Sequence, residues 1–318
     1  MSPQVRERIW LTLILCLFGA GWGITQPFAK IAVSGGYRHF GLIFWQLVIG
    51  AVILGIVLAL RGRPLPLGRR QLAFYLLIAV LGTIAPNASS YEALRHLPSG
   101  VLSVAIATVP MFAFPVALML GLDRFSALRV LGLLFGLGGV WLLAGPTGLP
   151  DPAMVVWLPL ALVAPLLYGI EGNIVAKYGT GGAGPVQLLC GASIVGAVIV
   201  LPLALLTDTW IDPRPPWGAP DAGLVGSSVV HAFVYAGYVW LVGRAGPVFA
   251  GQVSYLVTGF GVVWAMLLLG ERYSGFFWGA FGLMLAGMFL VQPRDNVALA
   301  DGRPSGEGKG ADNMGPTR

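Results

Sequence analysis

The sequence predicts an all-α integral membrane protein, with ten transmembrane helices arranged as two inverted five-helix repeats. Three observations carry this. Of the 318 residues, 57% are hydrophobic and only 10% charged, with a mean hydropathy of +0.82, whereas soluble domains devote about a quarter of their residues to charge. Apolar runs long enough to cross a hydrocarbon core of about 30 Å recur from Ile9 to Gln292. The run Asp123-Arg124-Phe125-Ser126 returns 148 residues later as Glu271-Arg272-Tyr273-Ser274, so the chain repeats itself.

Arg, Pro, Gly and Asp punctuation bounds ten spans at 9–34, 40–60, 71–95, 99–120, 127–144, 155–178, 185–206, 223–243, 247–269 and 274–292. The first opens like a signal peptide, with Arg6 and Arg8 ahead of an apolar run. It continues past Trp22 to Gln26 and Pro27 with no small-x-small cleavage site soon after, so it reads as a span. Connections are short, and only Thr207 to Asp221, with Pro213, Pro215 and Pro216, is long enough for a real loop. Pro27, Pro86, Pro110, Pro115, Pro159, Pro165 and Pro202 fall inside spans, where missing amide donors allow kinks. Spans five and ten carry almost no polar side chains. They are expected at the periphery, touching lipid or a second copy of the chain through Gly136, Gly139, Gly279 and Gly282, which makes a homodimer a candidate assembly.

Charge sets the orientation. Sorting by ten spans places 14 of the 19 Lys and Arg residues on the side of the amino terminus, so both termini are expected in the cytoplasm and the bilayer to be the inner membrane. The net charge of +6 is thereby topological, and no nucleic-acid partner is expected, because no basic patch with interleaved aromatics exists. Cys16 and Cys190 lie in apolar segments and read as packing residues, with no metal and no cofactor implied. The expected layout is a cytoplasmic start at 1–8, repeats at 9–146 and 155–292, and a disordered cytoplasmic tail at 293–318, where Pro, Gly, Asp and Lys leave too little apolar surface to offset ordering.

Five spans per half is an odd number, so the second half enters the membrane in the opposite sense to the first. At the same offset Leu137 matches Leu285, Gly139 matches Gly287 and Leu142 matches Leu290, while Lys30 and Lys177 close the first spans of their halves. Inverted halves around a midplane cavity are a recurring architecture of secondary transporters.

Trp22, Gly23 and Lys30 have counterparts in Tyr168, Gly169 and Lys177. Ala93-Leu94-Arg95 precedes the stretch from Ser99 to Pro110, and Gly270-Glu271-Arg272-Tyr273-Ser274 precedes a glycine-spaced final helix. In these features residues 9–292 resemble the EamA-like members of the drug/metabolite transporter superfamily. The sequence departs from that pattern at Gly121-Leu122-Asp123, where a Gly-Glu pair is usual, and at Thr258, where a proline like Pro110 would stand. The resemblance implies secondary transport, commonly export, of amino acids, other metabolites or toxic compounds. Consistently, no GxxxxGK[ST] phosphate loop is present.

An ionisable group inside hydrocarbon is costly and marks a pathway by default. Glu171, between glycines 169 and 172 in span six, and His231, in span eight, are such groups and the candidates for proton coupling. His231, Tyr235 and Tyr238 share one helical face through spacings of four and three. Gln252 and Tyr255 make a stripe in span nine, and Gln26, Asn87, Tyr168 and Asn173 add amides and a phenol. Together they describe a small-molecule cavity with aromatic walls and neutral hydrogen-bonding groups. Two other readings compete. A membrane-embedded enzyme on lipid-linked substrates needs a catalytic cluster, yet the three histidines, His39, His96 and His231, form no HExxH and no nucleophile-base pair stands out. A passive channel is the other.

Overall fold

The computed structural model describes residues 3–291. Ten apolar helices account for most of the described residues: α1 (Pro3–Ser34), α2 (His39–Leu60), α3 (Arg69–His96), α4 (Ser99–Met119), α5 (Ala127–Leu143), α6 (Leu158–Tyr178), α7 (Pro185–Leu206), α8 (Ala219–Ala245), α9 (Phe249–Leu269) and α10 (Gly275–Val291). The two shortest, α5 and α10, have 17 residues each, the lower end of what spans a bilayer. The expected tail at 293–318 lies outside the described residues.

Local chemistry explains where the helices differ from the apolar runs. α1 starts at Pro3, well before Ile9, and its extension is held by an ion pair between Glu7 and Arg244 at the end of α8, with Oε1 to Nη2 at 2.8 Å. In α3, Pro86 has no amide to offer the carbonyl of Gly82, and the turn before it widens into a π-helix over Ile78–Ile84. In α4 the chain relaxes into a turn at residues 107–108, just ahead of Pro110, before helix resumes at Val109. Besides the loop 207–218, the linker joining the halves runs from residue 144 and includes a 3-10 turn at Pro152–Trp157, so it too is a substantial connection.

The packing displays the relation between the halves. α1 packs on α8 and α9, and its counterpart α6 packs on α3 and α4. α2 meets α7, α4 meets α9 and α5 meets α10. Each of these contacts maps onto itself or onto another when the halves are exchanged. Five helices per half make the second half run opposite to the first.

Glycines let the backbones approach. A Cβ on Gly23 would stand 2.8 Å from the Gly261 nitrogen of α9, and one on Gly169 would stand 2.9 Å from the Ala113 nitrogen of α4. The paired motifs Trp22-Gly23 and Tyr168-Gly169 thus mark equivalent crossings. The glycines of α5 and α10 also serve contacts inside one chain. Gly139 lies against Met284, Gly132 and Gly287 face each other, and Gly136 receives Met111. This corrects the expectation that Gly136 and Gly139 face lipid or a second copy: two helices with little polar surface and no volume at these positions pack on each other. Gly279 also lies next to Leu142, whereas Gly282 meets nothing within 4 Å.

Candidate substrate cavity

A cavity of about 710 Å³ lies between the halves, walled by α1, α2, α3, α4, α6, α7, α8 and α9, and by neither α5 nor α10. Its size suits a small organic ligand. Helical periodicity selects the wall: Trp22, Gln26 and Ala29 from α1, Tyr168, Glu171, Gly172 and Val175 from α6, and Ser228, His231, Tyr235 and Tyr238 from α8. The π-helical turn of α3 contributes Ile78, Gly82 and Thr83, and the helix beyond Pro86 adds Asn87 and Tyr91. A π turn re-aims the side chains that follow it, as such turns often do at functional sites.

Glu171 is the one carboxylate in this wall, which holds no Lys or Arg. Its oxygens rest against Gly82, where a Cβ would sit 2.7 Å from Oε1 and 2.8 Å from Oε2. Only glycine lets the carboxylate lie there. Tyr168 and Tyr235 line the same wall. Across the wall the Trp22 indole donates to His231 Nδ1 at 3.2 Å, and the Trp22 and Tyr238 rings approach to 5.2 Å. An indole N–H can donate only to a ring nitrogen carrying no proton, so the bond selects the Nε2–H tautomer. At the α2–α3 side, Gln46 Oε1 accepts from Asn87 Nδ2 at 3.1 Å and from Tyr91 Oη at 2.6 Å, forming a neutral polar cluster.

Of the residues singled out in the sequence, Gln26, Asn87, Tyr168, Glu171, His231, Tyr235 and Tyr238 come together on this wall. Asn173, Gln252 and Tyr255 do not. Asn173 is buried toward α4, where its Nδ2 donates to the Ala113 and Gly169 carbonyls at 2.9 and 2.8 Å, so it joins two helices. In α9 the face that turns inward carries Val253, Ser254 and Val257, which leaves Gln252 exposed at a turn and aims the Tyr255 hydroxyl into packing. Gln46 was not legible as a site residue: its signal is a lone amide in an otherwise apolar helix.

At the end bearing Lys30 and Glu271, polar contacts join the halves and close the helix ends. Glu271, in the link between α9 and α10, accepts from the Ser99 and Gly100 amides at 2.7 and 3.1 Å, capping α4 from the other half of the molecule. The Tyr273 hydroxyl also donates to it. Burial, then the Glu271 carboxylate, holds that phenol above its ordinary range, so it remains a donor. Nearby, Lys30 Nζ donates to the Leu94 and Leu97 carbonyls at 2.5 and 3.0 Å, closing the C-terminal end of α3. The related residues at the opposite end behave differently. Asp123 pairs with Arg129 and with the Arg124 amide, and Lys177 Nζ donates to the Leu120 carbonyl at 3.0 Å.

Ten apolar helices in two related halves around one shared cavity define a polytopic membrane transporter. The chain belongs to the EamA-like transporter family, whose model matches residues 9–145 and 155–292. It is 24% identical over 288 residues, 87% of this chain and 91% of the relative, to the uncharacterized inner membrane transporter YedA of Escherichia coli. It is 25% identical over 301 residues, 92% of this chain and 95% of the relative, to a probable terminal-alkyne amino-acid exporter of Streptantibioticus cattleyicolor. A crystal structure 17% identical in sequence has the same fold, with a TM-score of 0.61 over 88% of this chain and 96% of that one. The protein is accordingly a multi-pass inner-membrane transporter.

Proposed function

We propose that the protein is a secondary carrier that exports an amino-acid-sized metabolite or drug through the central cavity by alternating access. One observation carries this: a cavity of ligand size is built jointly by both halves, so a change in how the halves lean on each other transfers access from one face to the other. The name of the Streptantibioticus relative supports export and the substrate size. Both termini lie in the cytoplasm in this reading, on the strength of the Lys and Arg distribution. Proton coupling runs through Glu171, since the other titratable candidate, His231, has Nδ1 engaged by Trp22.

Gly172 supplies the test. It lines the cavity, and a Cβ there meets nothing within 4 Å, so Gly172→Phe can start its side chain in open space and occlude the cavity. In proteoliposomes, uptake of a labelled amino-acid and amine panel is expected to respond to an imposed pH gradient and to fall at least about tenfold in this variant, with the elution profile unchanged. Gradient-independent uptake removes the coupling, and uptake that survives Gly172→Phe removes the pathway.

A further inference from the structure

Resting on that reading, the cavity's chemistry specifies what part of the cargo is recognised. Glu171 brings a carboxylate to a wall that contains no Lys or Arg, and among the described residues it has no hydrogen-bond or ion-pair partner. The one wall group able to become cationic, His231, accepts a hydrogen bond from the Trp22 indole at Nδ1 and carries no charge while that bond stands. Lys30, one residue from the wall residue Ala29, is not part of the wall, and its Nζ is held by the Leu94 and Leu97 carbonyls. The carboxylate therefore faces the cavity without a counter-ion.

Around it stand aromatic rings. Trp22, Tyr168, Tyr235 and Tyr238 line the same space, and ring faces attract cations, more strongly where water is scarce. An acid entering would meet Glu171 with like charge and no basic group to receive it. Neutral donors at Gln26, Gln46 and Asn87 offer a carboxylate far less than a guanidinium would. We propose that the cavity recognises an ammonium group, with Glu171 as its counter-ion and the aromatic wall taking an apolar body, so that simple arylalkylamines bind more tightly than the amino acids they derive from. A carboxylate on the cargo is tolerated and contributes nothing.

Three probes sharing one skeleton separate the possibilities: 2-phenylethylamine carries only the amine, phenylalanine both groups, and 3-phenylpropionate only the acid. Their dissociation constants for the purified protein, from concentration-dependent thermal stabilisation, are expected to rank amine, then amino acid, with no saturable effect of the acid. Glu171→Gln is expected to weaken the amine at least about tenfold and erase the ranking, while Glu171→Asp, which keeps the charge, preserves it. The Asp variant keeps the test standing if the Gln variant does not fold. Equal binding of acid and amine, no binding of the amine, or a ranking untouched in Glu171→Gln overturns the inference. If binding survives in Gly172→Phe, the ligands sit elsewhere and the failure belongs to the cavity as transport pathway.

Discussion

At the scale of single residues, Gly82 and Glu171 form one device. The carboxylate lies where the Cβ of any other residue at 82 would be, and the end of a glutamate side chain moves cheaply, so the fold tolerates what the site does not. Gly82→Ala is expected to leave thermal stability nearly unchanged while weakening amine binding by about tenfold, measured beside Glu171→Gln. A loss of stability without loss of binding would mean that the carboxylate is not what Gly82 accommodates. The residues legible from sequence were those whose polarity is conspicuous against hydrocarbon, as Glu171 and His231 are. Asn173 was equally conspicuous and proved to join α6 to α4, because a polar side chain in a membrane helix can be satisfied by a neighbouring backbone as readily as by a cavity.

At the scale of elements, apolar length located all ten helices, but the direction each face takes depends on neighbours. In α9, Gln252 and Tyr255 lie on one stripe and Val253, Ser254 and Val257 on the adjacent one, and only packing against α1 and α4 decides which turns inward. The π turn in α3 had a visible cause in Pro86, although that proline could equally have produced a simple kink. The pairing of α5 with α10 depends on absent side chains. A Cβ on Gly287 would lie 2.7 Å from the Gly132 carbonyl oxygen and 3.1 Å from the Gly136 nitrogen, both backbone atoms that cannot step aside. Gly287→Leu is expected to destabilise the protein by about 1–3 kcal/mol, read as a lower unfolding temperature in detergent. Because neither helix walls the cavity, ligand affinity in the surviving folded fraction should be unchanged.

At the scale of the whole molecule, the repeat was legible because Asp123-Arg124-Phe125-Ser126 and Glu271-Arg272-Tyr273-Ser274 are costly coincidences in so apolar a chain. Their unequal use was not. Glu271 reaches across to cap α4, whereas Asp123, one methylene shorter, turns to Arg129. Contacts between the halves cross both ends, with Gln71 donating to the Gly181 carbonyl and Gln187 to the Pro64 carbonyl at the Lys177 end, but the helix cap made by Glu271 has no counterpart there, and the cavity is expected to admit solutes from the end bearing Lys177. With Cys16 and Cys190 replaced, a cysteine introduced at Gly172 should react with an impermeant thiol reagent from that face alone, and from both faces once Glu271→Ala removes the cap. Reaction from the Lys30 face in the parent protein would refute the assignment. A helix cap present at one end alone also gives the carrier a preferred posture: the two arrangements exchanged by the pseudo-two-fold axis differ in energy, and on each cycle the return stroke must climb that difference, driven by cargo or by an ion gradient.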